Sequence, residues 1–317
     1  MVLGKTSVAG AKRAYTEWNL TWSIYSLITD MQWIIRSPWL PSSRFSMTIR
    51  LILSAAANLL GLPLQAASPA PGVTVHFSSY REYFSLFREI FVKQEYSISL
   101  ANPSPLIMDC GANIGLAAIY FKTRFPNARV IAFEPNPSSF TRLASNIGGN
   151  KLKQVELRNE AVCGRTGVAT LVRPKGTSES HAASLMLAEG SGAVADSDSV
   201  SCVRLSSVIE ELPPIDLLKI DIEGAEYEVL TDLEYAGQFH RIGALIIEYH
   251  EGIASAPIDC ALSLLRRNGF HCRIAADLKP WHSLDRPYGA LIYAVRRESM
   301  NRNNSVAAEC ADTEPEA

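Results

Sequence analysis

The sequence predicts an α/β fold built on a mostly parallel sheet with one antiparallel strand. From about residue 73, short apolar runs alternate with helical patterns, and short glycine-containing turns join them. Repeated strand–helix units of this kind form a parallel sheet that is covered by helices on both faces. The last two predicted strands, 270–276 and 288–297, follow one another without a helix, which indicates the antiparallel member.

The first half of this region predicts a helix followed by two strand–helix units. Residues 105–115 are an apolar run that enters a glycine turn, and 113–125 continue as a helix. Residues 128–134 predict a second strand, and 137–150 a helix that ends at two glycines. The first helix, 79–97, is amphipathic, and its apolar stripe consists of Tyr83, Leu86, Phe87, Ile90 and Phe91.

The second half predicts further strands. Two of them, 155–162 and 167–174, are joined by the short connection CGRTG, which predicts a β-hairpin. Residues 174–199 are rich in Ser, Gly and Ala and have no period, so we expect a long loop that is a lid or is disordered. Strands are then expected at SCVRL, from residue 215 onwards and at GALIIEYH, with a helix through CALSLLRRNG.

The N-terminal part of the chain has a different character. Residues 1–72 predict a helical, aromatic-rich extension that ends in a linker, where small residues and two prolines break the pattern. Within it, 45–64 has the length of a membrane span, but Arg50, Asn58 and Pro63 interrupt it. We therefore expect a helix that packs on the protein or lies on a membrane surface.

Composition and charge narrow the function classes. The formal net charge is -2, so no overall field favours binding to nucleic acid. The six cysteines are scattered, without a C-x-x-C pair or a zinc-type spacing, and charged residues interrupt the N-terminal segment. We expect a cytoplasmic protein in a reducing setting, with a disordered polar tail at 298–317.

The first two strands end in residues that suit a ribose-bearing cofactor. Asp109, Gly111, Asn113 and Gly115 follow the first strand and open its helix. Glycine at these positions lets the backbone approach a ligand, although such turns also have purely structural uses. Glu134 ends the second strand, where its carboxylate can accept hydrogen bonds from both ribose hydroxyls.

Two cofactor classes share this arrangement. A dinucleotide would require the order G-x-G-x-x-G, but Asn113 stands where the second glycine belongs. Asp109 would also repel a pyrophosphate, whereas it can hold the ammonium of an amino-acid group. S-adenosylmethionine carries an ammonium and a sulfonium and no phosphate, so the electrostatics favour it over NAD.

Three motifs resemble those of a known family. MDCGANIGLAAIYF, VIAFEPNPSSFTRLASNI and LLKIDIEGAEYEVL, the last followed by IIEYH, closely resemble the FkbM family of S-adenosylmethionine-dependent methyltransferases. The resemblance covers roughly residues 75–297 and places a methyltransferase domain at 73–297. It implies a class I, Rossmann-like methyltransferase fold with a seven-stranded sheet, one strand antiparallel, and O-methylation of hydroxyls on sugars, glycans or natural-product small molecules.

The resemblance also implies a set of cofactor-binding positions. Residues 109–115 look like the methionine-side loop, and Glu134 looks like the ribose ligand with Asn136 nearby. Glu160 and Ala161, at the end of the following strand, sit where similar enzymes line the adenine. The predicted cofactor-binding residues are Asp109, Cys110, Gly111, Ala112, Asn113, Gly115, Glu134, Asn136, Glu160 and Ala161.

Methyl transfer to a hydroxyl requires alignment of the reacting atoms and a base that takes the proton. Asp221, at the end of the central strand, is the first candidate for this base, and Glu223 and His250 are weaker ones. Lys219 is expected to pair with Asp221 or Glu223, and such an ion pair is the purely structural explanation of the motif.

Other roles for these residues stay open at this stage. Asp221 could orient the cofactor, or it could bind a divalent cation together with Glu223, Glu248 and His250. No spacing rule marks a metal site, so we predict no metal ligands.

The alternatives to an O-methyltransferase are a nicotinamide-dependent oxidoreductase and a non-catalytic, cofactor-binding interaction module. The expected partner is a small-molecule or glycan acceptor, and a homodimer and contact with a membrane surface are left open.

Overall fold

The structure is a computed structural model. It describes residues 28, 30–32, 44–174, 184–186, 195–251, 253–275 and 288–296. The chain divides into two compact units, Met1–Glu95 and Tyr96–Ala317. The predicted tail at 298–317 and most of the first 43 residues lie outside the described residues.

The first unit contains two helices and a small antiparallel pair of strands. Its elements are α1 (Arg44–Leu59), β1 (Ala66–Ala67), β2 (Val75–His76) and α2 (Tyr80–Phe87), and α2 continues into a π-helical turn at Arg88–Val92. Ser79 caps α2, because its side chain accepts a hydrogen bond from Glu82 N–H. The predicted apolar stripe from Tyr83 to Phe91 is buried, as its helical spacing requires.

Helix α1 is amphipathic. It buries Met47 and Leu51 and exposes Ile49, Ile52 and Leu53. Among the described residues, no helix combines the length and the apolar content that crossing a membrane would need. Contact of α1 with a membrane surface stays a prediction.

The second unit alternates strands and helices. Its strands are β3 (Leu106–Cys110), β4 (Arg129–Phe133), β5 (Val155–Arg158), β6 (Ala161–Cys163), β7 (Gly167–Pro174), β8 (Ser184–Met186), β9 (Ala195–Arg204), β10 (Ile215–Ile220), β11 (Ile242–Glu251), β12 (Phe270–Ala275) and β13 (Tyr288–Arg296). Its helices are α3 (Leu116–Arg124), α4 (Pro137–Gly149), α5 (Leu205–Glu210), α6 (Glu226–Tyr235) and α7 (Ile258–Arg267), with a 3-10 turn at Gln238–Arg241.

Seven of these strands form the main sheet, in the order β12-β13-β11-β10-β3-β4-β5. All neighbouring pairs are parallel except those of β13, which runs antiparallel to β11 and β12. The central strands are mostly apolar because helices cover both faces of the sheet, and Met108, Leu218 and Ile220 are completely buried. This arrangement confirms the predicted class I, Rossmann-like fold.

A second sheet, in the order β6-β9-β7-β8, corrects two predictions. The expected hairpin of 155–162 with 167–174 does not form: β5 joins the main sheet, β6 pairs with β9, and β7 lies on the other side of β9. The segment 174–199 is not a loop throughout, because β8 and the start of β9 fall within it. The rest of that segment lies outside the described residues.

Cys163 and Cys202 form a disulfide that joins β6 to β9. The sequence does not predict this bond, because the two residues are 39 positions apart and belong to no recognisable spacing pattern. Structural disulfides are rare in a reducing cytoplasm, so this bond does not support the expected reducing setting.

Candidate active site

The predicted site residues gather where β3 and β10 end side by side. The two strands are parallel and paired so that Lys219 lies opposite Asp109 and Ile220 opposite Cys110. From β3 the chain proceeds to β4 and β5 on one side, whereas β10 and β11 lie on the other. Ligands of open α/β sheets bind at this switch point, beyond the carboxyl ends of the strands.

The loop after β3 is packed against the loop after β10. Gly111 has a positive φ of 85°, and a Cβ atom placed on it would lie 1.7 Å from the backbone oxygen of Asp221. Asp221 N–H in turn donates to the Cys110 carbonyl at 3.1 Å. Gly111 and Ala112 N–H donate to the Phe133 carbonyl at 3.0 and 2.8 Å. Only glycine at 111 permits this contact between the two loops.

Gly115 serves the packing of a helix. It has a φ of 95°, and an added Cβ atom would lie 2.8 Å from Leu143 Cδ1 on α4. Asn146, also on α4, donates from Nδ2 to the Ile114 carbonyl at 2.8 Å. Helix α4 therefore holds the end of the 109–115 loop in place.

Lys219 and Asp109 form a buried ion pair under this loop. Lys219 Nζ lies 3.0 Å from Asp109 Oδ1 and 3.3 Å from Asp221 Oδ2, and it donates to the Gly111 carbonyl at 2.7 Å. Burial alone would lower the pKa of Lys219, but Asp109 and Asp221 raise it above its ordinary value, so the ammonium is charged. Asp109 Oδ2 is buried and accepts no hydrogen bond from the described residues.

Glu134 joins the loops that follow β3 and β4. Its Oε2 accepts a hydrogen bond from Asn113 N–H at 2.7 Å, and its Oε1 accepts one from Asn136 N–H at 2.8 Å. Asn136 is also the N-cap of α4, because its Oδ1 accepts from Ser138 N–H. Burial raises the pKa of the Glu134 carboxyl to about 7, although the two backbone hydrogen bonds oppose the rise.

Three side chains beyond the ends of β10 and within β11 form a polar cluster, which we call the acceptor cluster: Asp221, Glu223 and His250. One polar atom of each lies within 4.8 Å of the corresponding atoms of the other two. Their side chains are 22%, 24% and 11% exposed, respectively. Tyr96 donates its hydroxyl hydrogen to Asp221 Oδ2 at 3.3 Å. The cluster is thus accessible and close to the loop after β3.

His250 lies between two carboxylates. Its Nδ1 is 2.8 Å from Glu226 Oε1, and its Nε2 is 3.4 Å from Glu223 Oε2. Burial would lower the pKa of His250, but the hydrogen bond to Glu226 and the charge of Glu223 raise it to about 10. Burial raises the pKa of the Glu223 carboxyl to about 8, and the charge of His250 opposes that rise.

A tight turn places Glu223 in this cluster. Glu223 has a φ of 56°, in the left-handed region, and the next residue, Gly224, has a φ of 113°. An added Cβ atom at Gly224 would lie 2.4 Å from Ile253 Cγ2, so the turn is also packed. Gly224 N–H donates to Glu226 Oε1, the oxygen that also contacts His250.

Most of the predicted cofactor-binding residues lie close together in the structure, but two of them do not. Those from Asp109 to Gly115, together with Glu134 and Asn136, share hydrogen bonds or direct packing. Glu160 and Ala161 lie farther along: Ala161 is buried at the start of β6, in the second sheet, and Glu160 is half-buried. Their predicted contact with adenine stays a prediction.

Sequence reasoning missed three features of the site. The partner of Asp109 on the neighbouring strand is Lys219, which only the register of two distant strands reveals. Glu226, the first residue of α6, contacts His250 across the site. Tyr96 carries no local signal, because it precedes Asp221 by 125 positions.

Residues 109–272, slightly more than half of the chain, match the family model described as the methyltransferase FkbM domain. The chain belongs to the FkbM methyltransferase family. The FkbM match lies wholly within the second unit, begins at the residue that pairs with Lys219 and includes the acceptor cluster.

Some proteins that this chain resembles are much longer than the region that matches. AMB antimetabolite synthetase AmbE of Pseudomonas aeruginosa is 30% identical over 262 residues, which cover 71% of this chain and only 12% of AmbE. The 31-O-demethyl-FK506 methyltransferase FkbM of Streptomyces tacrolimicus is 30% identical over 228 residues, covering 63% of this chain and 86% of that protein. The crystal structure of methyltransferase FkbM from Methylobacillus flagellatus is 15% identical, with a TM-score of 0.41, and covers 68% of this chain and 54% of that one.

Proposed function

We propose that this protein transfers a methyl group from S-adenosylmethionine to a hydroxyl oxygen of a sugar, a glycan or a natural-product small molecule. The observation that carries the proposal is the contact between the two loops at the switch point. Asp221, the first residue of the acceptor cluster, packs its backbone directly on Gly111 of the loop after β3. A cofactor held by one loop therefore lies next to side chains that can take a proton from an acceptor.

The residues after β3 and β4 suit S-adenosylmethionine chemically. Asp109 Oδ2 is a buried acceptor without a hydrogen-bond partner among the described residues, which suits an ammonium group. Glu134 holds its carboxylate in place with two backbone N–H groups and retains acceptor capacity for ribose hydroxyls. Asp109 also disfavours a pyrophosphate, so the charge pattern supports S-adenosylmethionine over NAD.

The chemistry of the cofactor defines what the protein must do. When bound, S-adenosylmethionine supplies a methyl group on a positively charged sulfur, which the acceptor oxygen takes as the carbon–sulfur bond breaks. A neutral hydroxyl is a poor nucleophile, so the protein must accept its proton and hold the oxygen in line. The acceptor cluster supplies polar atoms for both tasks.

We assign to Glu223 the role of accepting the proton of the acceptor hydroxyl. The sequence put Asp221 first, but Asp221 already contacts the Lys219 ammonium and the Tyr96 hydroxyl, which stabilise its charged form and weaken it as a base. Glu223 has a pKa of about 8, near the value at which a general base works best in neutral solution. Asp221 then orients the acceptor, and His250 holds the Glu223 carboxylate.

Oxygen as the methylated atom has two supports. Carboxylates and a histidine are groups that can accept the proton of a hydroxyl. One relative that covers most of its own length in the alignment is named for methylation at an oxygen, of 31-O-demethyl-FK506. The identity of the acceptor is part of the proposal.

The proposal is tested with a donor labelled with a trideuteromethyl group. Purified protein and labelled S-adenosylmethionine are incubated with fractions of a small-molecule extract, and products are analysed by mass spectrometry and NMR. We expect one compound to gain a single trideuteromethyl group on oxygen, and the Glu223→Gln variant to give far less of it. A label found on nitrogen or carbon, or no labelled product although the donor binds, would contradict O-methylation.

A further inference from the structure

We propose that Asp221, Glu223 and His250 form a binding site for a divalent cation. The role of the cation in catalysis rests on the proposed function, because it would hold the oxygen of the acceptor, but binding of the ion itself does not. The site lies at the carboxyl ends of β10 and β11, on the chain's own residues.

The geometry of the three side chains suits an ion. Each offers one ligand atom, and these three atoms lie within 4.8 Å of one another. Around a cation with bonds of about 2.0–2.2 Å, neighbouring ligand atoms are about 3.0 Å apart and opposite ones about 4.2 Å. Small movements of side chains that are partly exposed would therefore complete the coordination. The ligands come from a tight turn and from a strand, which fix their backbones.

The orientation of His250 supports this interpretation. Nδ1 of His250 is 2.8 Å from Glu226 Oε1 and donates hydrogen to that carboxylate, whereas Nε2 is directed at Glu223. Metal-binding histidines commonly donate one ring N–H to a carboxylate while the other nitrogen binds the ion. A cation on Nε2 would take the place of a proton there.

Glu226 provides a second, independent observation. Its side chain is completely buried. Oε1 contacts His250 and accepts from Gly224 N–H, but Oε2 is buried and has no hydrogen-bond partner among the residues that the structure describes. A buried carboxylate needs compensating positive charge. His250 contacts this carboxylate, and a divalent cation on Nε2 of His250 would add positive charge beside it.

The chemistry of the ligands limits the kind of ion. Carboxylate oxygens suit Mg²⁺ and Mn²⁺, and an imidazole nitrogen favours Mn²⁺ and later transition metals. Three protein ligands leave coordination positions open for a hydroxyl oxygen and water. A bound cation would lower the pKa of a hydroxyl that it holds. The hydroxyl proton would then pass to the oxygen of Glu223 that is not a ligand.

Binding is tested with Mn²⁺ alone. The full chain is treated with a chelator, dialysed and titrated with Mn²⁺, and free Mn²⁺ is measured by electron paramagnetic resonance. We expect one ion per chain, with pulsed spectra that show coupling to a nitrogen nucleus. Wild-type protein that binds no Mn²⁺ at millimolar concentration, or that binds it without nitrogen coupling, would overturn the site.

Variants locate the ion. We expect His250→Gln to abolish the nitrogen coupling, Glu223→Gln to weaken Mn²⁺ binding by at least about tenfold, and Glu226→Gln to weaken it by about 10–100-fold. Glu251→Gln is the matched control, because Glu251 follows His250 in the chain but its carboxylate accepts from Ile258 N–H. Affinity within about twofold of wild type for Glu223→Gln and Glu226→Gln alike would contradict the inference. Circular dichroism establishes that each variant is folded.

Failure of this inference and failure of the proposed function give different results. Methyl transfer that persists in excess chelator, together with absence of Mn²⁺ binding, overturns the cation site and leaves the methyltransferase proposal intact. Mn²⁺ binding with nitrogen coupling supports the cation site even when no extract fraction is methylated.

Discussion

Lys219 Nζ lies 3.0 Å from Asp109 Oδ1, between neighbouring parallel strands and almost fully buried. The pair joins the strand that leads into the predicted cofactor loop to the strand that leads into the acceptor cluster. The same ammonium also contacts Asp221 and the Gly111 carbonyl, so the Lys219 side chain links the ends of both strands. The contact accounts for a buried lysine inside a mostly apolar strand.

Lys219→Met should lower the free energy of unfolding by about 3–5 kcal/mol, because it leaves a buried Asp109 carboxylate without its partner. Urea denaturation measures the change. Lys122→Met is the control, because Lys122 donates to the carbonyls of Pro126 and Ala128. The control should lose less stability, and Asp109→Asn should recover part of the loss in the Lys219→Met background. Equal losses at positions 219 and 122 would contradict the importance of the ion pair.

Gly111→Ala should prevent S-adenosylmethionine binding and lower the thermal midpoint, because the new Cβ atom would meet the backbone oxygen of Asp221. Gly237→Ala separates this clash from backbone strain, since Gly237 also has a positive φ, 66°, but nothing lies within 4 Å of an added Cβ atom. The control should cost only about 1–2 kcal/mol and keep cofactor affinity. Binding by Gly111→Ala at wild-type strength would show that the loops do not meet as described.

Cofactor affinity should fall as the pH drops through about 7, the raised pKa of the Glu134 carboxyl. The ionised form accepts ribose hydroxyls better, so below this pKa the dissociation constant should rise by up to about tenfold per pH unit. Glu134→Gln should bind more weakly and lose this dependence, whereas Glu156→Gln, at a half-buried position of β5, should keep it. Calorimetric titration between pH 5.5 and 8.5 measures both.

The contribution of Glu134 to the stability of the cofactor-free protein should have the opposite pH dependence to cofactor affinity. Burial raises the folded-state pKa above the ordinary value of 4.5, so the folded protein binds the proton more tightly than the unfolded chain. The contribution of this group therefore increases stability as the pH falls from about 7 towards 4.5. Comparing urea denaturation of wild type and Glu134→Gln across this range isolates it, and parallel curves would contradict the assigned shift.

Glu223→Gln should lower kcat by about 10²–10⁴-fold with cofactor affinity within about twofold of wild type, because it removes the proposed proton acceptor. Asp221→Asn should raise KM for the acceptor more than it lowers kcat, since Asp221 is assigned to orientation. Steady-state kinetics with the methylated acceptor separates the two effects. A larger loss of kcat in Asp221→Asn than in Glu223→Gln would return the role of base to Asp221.

The main sheet could be predicted because its signals are local. Alternating apolar runs and glycine turns predict β3, β4, β10 and β11 and the helices between them, and the consecutive strands at the end predict the antiparallel member. The second sheet could not be predicted in this way. Its pairing of Ala161–Cys163 with β9 depends on residues about 40 positions apart, and the intervening Ser/Gly/Ala-rich segment has no period.

The sequence predicts which residues lie at the site, but it does not predict most of the contacts between them. Charges at positions 219, 221 and 223 of the strand and turn indicated a polar end to β10, and the pair of Lys219 with Asp221 is present. The pairing of Lys219 with Asp109 depends on strand register, and the contact of His250 with Glu226 depends on how α6 packs beside β11. Both result from tertiary structure, which a single stretch of sequence does not encode.

The most direct test of the account is a calorimetric titration of the purified chain with S-adenosylmethionine and, separately, with NAD. We predict saturable binding of S-adenosylmethionine at one site per chain, weakened in Glu134→Gln, and no heat of binding with NAD. Binding of NAD with no response to S-adenosylmethionine would contradict the central claim that the loops after β3 and β4 hold a methyl donor.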